Sequence, residues 1–265
     1  MTICKWLSIL IFVISTSAFA VTGNSRTRLP EPNALQGEIS SSLGRGFDYY
    51  ADYFSTLGLS MSYKMSGSWV LKGEAEYRHV FTEFEERHTD SFEDTVVGIA
   101  NSSFYRDSES GFNIDGGLKL RLPTSETSRR AGTRFVTGLG VNLSMPIGRA
   151  RIVQSTSYSY YNQQFDTADE AGLEPNPIHA VGLGLGVSLQ LTSWLTWSVG
   201  GQLHTIWDLE SDRDRIEGFS SSLDAEIDRI WSISLAIQTR NKILSNNSLF
   251  DDDTTLISLG LAAKI

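Results

Sequence analysis

Cysteine is almost missing from this chain of 265 residues: the one present is Cys4. It falls in the opening MTICKWLSILIFVISTSAFA. There Lys5 supplies a basic start, Leu7 to Ile14 an apolar core, and Ala18-Phe19-Ala20 a small-x-small cleavage site. Residues 1–20 therefore read as a removable signal peptide, and the exported chain is expected to hold no disulfide and no thiolate metal site. Also lacking is any run of about 18 apolar residues, which excludes helical membrane spans. Basic residues are in deficit, 22 Lys and Arg against 31 Asp and Glu, whereas a free nucleic-acid binder leans the other way. Proline is scarce at 6, and two of those, Pro30 and Pro32, fall in a polar lead-in at 21–34.

What the chain has in quantity is alternation. From Val181 to Leu191 every second residue is large and apolar: Val181, Leu183, Leu185, Val187, Leu189 and Leu191. Gly182, Gly184, Gly186, Ser188 and Gln190 sit between them, a period of two that a strand produces and a helix cannot. After a turn near Thr192–Ser193 the pattern resumes with Leu195, Trp197, Val199, Gly201, Leu203 and Trp207. Arms of this length suit tilted strands that cross a membrane, with lipid against the apolar face and a wet or packed lumen against the other. A soluble β-sandwich has shorter strands and no aromatics gathered at their ends.

The rest of the chain repeats this hairpin. A weakly patterned first strand falls near Leu35–Leu43, and a clear second one carries Leu57, Leu59, Met61, Tyr63 and Met65 on one face. Trp69 opens a third, with Leu71, Gly73, Ala75, Tyr77 and Phe81 outward. Thr82 to Asp94 reads as an acidic loop, and a fourth strand near Thr95–Tyr105 is ambiguous in its facing. A fifth, carrying Phe112, Ile114, Leu118, Leu120 and Leu122 outward, leads through a loop at Pro123–Gly132 to a sixth from Phe135 to Met145. The seventh, Arg151–Tyr161, is rich in Tyr and Ser on both faces and resists phasing. Strands carrying Leu223, Trp231–Ile237 and Ile257–Ile265 complete the set. Short and long connections alternate. The fold class expected is all-β: one antiparallel, up-and-down transmembrane β-barrel over 35–265, with about 12 strands and 10 as the alternative.

Alternating charges cannot face hydrocarbon, so they fix the lumen side. On the third strand these are Lys72, Glu74, Glu76 and Arg78, and on the fifth Asp115, Lys119 and Arg121. Asp224, Glu226 and Asp228 are phased inward on the tenth strand, and Arg240 is a further candidate. This set is the candidate selectivity filter. Trp69, Trp194, Trp197, Trp207 and Trp231 fall mostly at strand ends, where they read as aromatic girdles.

Catalysis finds no motif. His79 and His179 fall in outward registers near strand ends, and His88 lies in the acidic EERHTDSFED stretch. His204 faces the lumen beside Gln202 without a local Ser to make a nucleophile pair. Asp251-Asp252-Asp253 does not have the spacing of a calcium loop. No catalytic residue, metal or cofactor is assigned, and an enzyme is not expected.

The signal peptide, together with a last strand apolar at alternate residues up to Ile265, resembles the Gram-negative outer-membrane β-barrels. Ile265 stands where that family usually carries Phe or Trp. GLKLRLPTSETS, Gly117–Ser128, resembles the strand-then-loop segment of transporter barrels related to the MetA phenol-degradation family, with Ser125 in place of the usual Gly. The resemblance implies residence in the outer membrane among lipid and lipopolysaccharide, and insertion by the barrel-assembly machinery. The function expected is a porin-like channel or transporter for small polar or amphiphilic solutes, with a plugged interaction barrel as runner-up. A lipase or protease barrel is a distant third. Oligomeric state is left open.

Overall fold

The computed structural model describes residues 35–46, 53–65, 67–81, 90–165, 176–208, 213–242 and 255–265. The signal peptide, the lead-in, His88 and Asp251-Asp252-Asp253 lie outside the described residues, as do the side chains of Arg213 and Arg240. Thirteen strands follow one another: β1 (Leu35–Gly46), β2 (Tyr53–Lys64), β3 (Trp69–Phe81), β4 (Asp90–Phe92), β5 (Thr95–Arg106), β6 (Asn113–Leu122) and β7 (Thr133–Ile147). After these come β8 (Ala150–Gln163), β9 (Pro177–Gln190), β10 (Leu195–Asp208), β11 (Arg213–Glu226), β12 (Trp231–Lys242) and β13 (Thr255–Lys264). A short helix, α1 (Glu126–Arg130), stands between β6 and β7.

Each long strand pairs antiparallel with its sequence neighbours, and β13 returns to pair with β1, so the sheet closes. β4 and β5 both pair with β3, one register step apart. The step falls at Glu93 and Asp94, where Glu93 N–H still bonds to the Glu76 carbonyl at 2.9 Å. They are one wall strand broken by a bulge, which makes twelve strands around the barrel. The acidic stretch expected to be loop as far as Asp94 thus re-enters the wall at Asp90.

Followed through the twelve pairings, the register climbs by about 16 residues in one circuit. That stagger tilts the strands by roughly 40–45° and sets a backbone radius of about 12 Å. The pleat then sorts the side chains. Leu57, Leu118, Leu185, Leu235 and Leu259 point out and are exposed, an apolar outer face of the kind that meets hydrocarbon in transmembrane barrels. Trp69, Trp194, Trp197 and Trp231 ring the end with the short turns, while Trp207 stands at the long-loop end. Among the described residues no helix is long and apolar enough to cross a membrane.

Turn chemistry fixes the short connections. In the β11–β12 turn, the backbone N–H groups of Trp231 and Ile230 each donate to the Asp228 carboxylate at 2.7 Å, holding it below the ordinary carboxylate range. Asp228 is therefore a turn residue and not a lumen residue: β11 ends at Glu226, and the alternation that placed it inward ends with the strand. Asp107 plays the same part between β5 and β6, its carboxylate lowered by the Ser110 hydroxyl and by backbone N–H groups.

The β6–β7 connection is no open loop. Ser125 caps α1 by accepting from Ser128 N–H at 3.1 Å, and Asp94 accepts from the Ser128 hydroxyl at 2.5 Å and the Ser125 N–H at 3.0 Å. At the other end Asn176, almost wholly buried, donates to the carbonyls of Ala131 and Phe165. The long-loop end of β6–β9 is thus strapped to the wall. Asp94→Ala removes two acceptors around buried groups, at about 1–3 kcal/mol each. Tryptic cleavage at Arg129 or Arg130 is expected to quicken at least about fivefold with the barrel still folded. Unchanged cleavage would mean that the strap does not depend on Asp94.

Candidate functional site

The inner face is divided into two unlike walls. On β8 to β13 the lumen side is built of Ser155, Ser157, Gly182, Gly184, Gly186, Ser198, Gly200, Ser220, Ser222, Ser234 and Gly260. At mid-height these short side chains keep the wall low and uncharged, while Gln202 and His204 rise from it and Asp224, Glu226 and Lys264 charge it toward the short-turn end. On β3 to β6 the same face carries the charges: Lys72, Glu74, Glu76 and Arg78 on β3, then Asp115, Lys119 and Arg121 on β6. These sequence candidates share one wall because β3, β5 and β6 are neighbours, with Lys72 and Lys119 separated only by Gly98 in the register.

Between the walls lies a cavity of about 660 Å³. Lys72, Asp115 and Lys119 line it, facing Gly182, Ser198, Gln202, His204 and Ser220. Asp115 is held in place by the amides of Asn142 at 2.7 Å and Asn113 at 3.3 Å. His204 lies beside Gln202, with Nε2 and Oε1 3.4 Å apart. Ser42 and Thr56 share a hydrogen bond of 2.7 Å across β1 and β2, which carries the hydroxyl lining round to the charged wall.

Toward the long loops the interior tightens. Val96, Arg121, Val136 and Tyr161 form one cross-strand row over β5 to β8, and each is at most 7% exposed. Val136, Tyr161 and Ala180 pack into a cluster with Ile206. On the adjoining strands β2 and β3 the Arg78 guanidinium sits 4.2 Å above the Phe54 ring, which lies on Gly44. A long guanidinium stem laid on an aromatic face keeps its charge while covering apolar surface. Glu93, at the bulge, lies in the combined field of Glu76, Arg78, Asp94 and Arg121. The alternation could not place Glu93 and Asp94, because the bulge interrupts the period.

The remaining candidates lie elsewhere. Asp224 and Glu226 face inward near the short-turn end of β11, six strands round from β5. Asp224 accepts from Ser222 at 2.9 Å, and Glu226 stands 4.0 Å from Lys264. Arg240 stands opposite Gly218 in the β11–β12 register. His79 and His179 both lie on the outward face near the long-loop end. His79 pairs with Asp90 at 2.5 Å, and His179 bonds to the Tyr158 hydroxyl at 2.8 Å.

Solved structures share this architecture. An outer membrane channel from Pseudomonas putida F1 superposes with a TM-score of 0.66 at 11% identity, over 92% of this chain and 100% of that one. The KdgM porin in complex with disordered oligogalacturonate matches with a TM-score of 0.52 at 10% identity, over 85% and 98%. The fold is that of an outer-membrane β-barrel. No protein-family model matches the sequence, and no curated protein does either.

Proposed function

We propose that this barrel is an outer-membrane channel for small polar or amphiphilic solutes, with selectivity set by the charged wall. The observation that carries the reading is the cavity of about 660 Å³ between a charged wall and a flat Gly/Ser wall. Filled barrels pack large side chains inward, whereas here Gly182, Gly184, Gly186 and Gly200 stand where such side chains would be. The architecture shared with the channel from Pseudomonas putida F1 and with the KdgM porin supports it as a matter of fold. Lys72, Asp115 and Lys119 are the selectivity residues on this reading, Glu74, Glu76, Arg78 and Arg121 lie above them, and Asp224 and Glu226 flank the short-turn mouth.

Liposome swelling tests the size limit. Vesicles holding the full-length chain are expected to swell in glycine or arabinose and to resist a trisaccharide such as raffinose. Equal rates with empty vesicles for every solute would contradict the proposal.

A further inference from the structure

Long side chains on the lumen wall lie along it, and glycines make the beds. A Cβ built on Gly138 would stand 2.7 Å from Cε of Lys119 and 2.9 Å from its Cγ, so the lysine stem crosses the inner face of β7 at that point. Gly182 does the same for His204, whose Cε1 would lie 2.7 Å from an added Cβ. Gly140 is different. It shares the inner face of β7 with Gly138, yet a Cβ there meets nothing within 4 Å. One glycine is a bed, and its neighbour borders open lumen.

We propose that Gly138 is a specificity-determining position that acts through Lys119. Without a side chain at Gly138, the Lys119 stem stays on the wall and its ammonium is kept out of the middle of the bore. Any β-carbon at 138 must displace that stem, and the wall behind it is backbone, so the free direction is inward. Lysine is a flexible four-carbon stem, so the move is cheap. Its consequence is not small. A charge moved several Å toward the axis of a narrow, low-dielectric bore is poorly screened and biases every ion that passes. Glu74 on β3 and Arg121 on β6 are the charged groups that act on Lys119 where it lies. This inference rests on the channel reading and names what sets its selectivity.

The experiment compares Gly138→Val with Gly140→Val in the full-length chain, two equal additions of bulk to one face of one strand. Reversal potentials in a KCl gradient give the cation-to-anion permeability ratio. Mass spectrometry after treatment with a water-soluble amine-acylating reagent gives the modification of Lys119 relative to Lys72. Gly138→Val is expected to shift permeability toward anions and to raise the relative acylation of Lys119, each about twofold or more. Gly140→Val lowers conductance and changes neither ratio. Adding Lys119→Met to Gly138→Val abolishes the permeability shift, which mere narrowing of the bore would not do. Equal permeability ratios and equal acylation in the two valine variants would overturn the proposal. Gly138→Ala makes the same Cβ contact with less volume and serves where the valine variant loses its heat-modifiable fold. A folded barrel that passes no current sinks the channel reading alone, since the acylation ratio still decides whether Gly138 is the bed of Lys119.

Discussion

Leu185→Arg is expected to destabilise the barrel in phospholipid vesicles by about 2–4 kcal/mol, the cost of an arginine on the lipid face near the bilayer midplane. Leu185 lies in the middle of β9, points outward and is 61% exposed. In water such a residue would be replaced without loss, since most surface substitutions stay within about 0.5 kcal/mol. The control lies one strand away. Ser155 pairs with Gly184 in the register and faces the lumen, so Ser155→Lys meets water and costs about 1 kcal/mol or less. Equilibrium unfolding in urea at fixed lipid composition measures both. Equal costs for the two would mean that the apolar face of β9 does not meet hydrocarbon.

Neutralising Lys72 and Lys119 together is expected to raise the cation-to-anion permeability ratio by roughly three- to tenfold. The two ammonium groups line the same cavity from strands joined through Gly98. Each charge acts on a passing ion with about 1 kcal/mol or less at the effective dielectric of a wet lumen, and two such terms give that range. Lys72→Met/Lys119→Met leaves Asp115, Glu74 and Glu76 on the wall, which sets the sign. Asp224→Asn/Glu226→Gln acts at the wider short-turn mouth, where Glu226 already stands near Lys264, so a change under about twofold is expected. Reversal potentials separate the two. A larger effect from the β11 pair would place the filter at that mouth.

The pleat explains which of these features the sequence carried. Wherever one face is Leu, Val or Trp and the other Gly, Ser or charge, as on β3, β6, β9 and β10, the period of two gave both the strand and its facing. β8 defeated it because hydroxyl groups line both faces. Ile152, Thr156, Tyr158 and Tyr160 point out, Ser155, Ser157, Ser159 and Tyr161 point in, and polarity alone cannot rank them. The five residues of α1 are too few to display a helical period, and the three of β4 are too few to display alternation. Asp228 was misplaced because counting by twos ran past the end of β11. The candidate site was legible as a list of inward charges. That Lys72, Asp115 and Lys119 meet at one cavity, and that Arg121 is buried between Val96 and Val136, depend on a register that closes only when the twelfth strand finds the first.

Single-channel recording of the full-length chain in a planar bilayer tests the central claim most directly. Stable, stepwise openings whose permeability ratio rises in Lys72→Met/Lys119→Met are the expected result. A folded, heat-modifiable barrel that stays silent at every applied voltage, in the wild type and in that variant, would contradict the account.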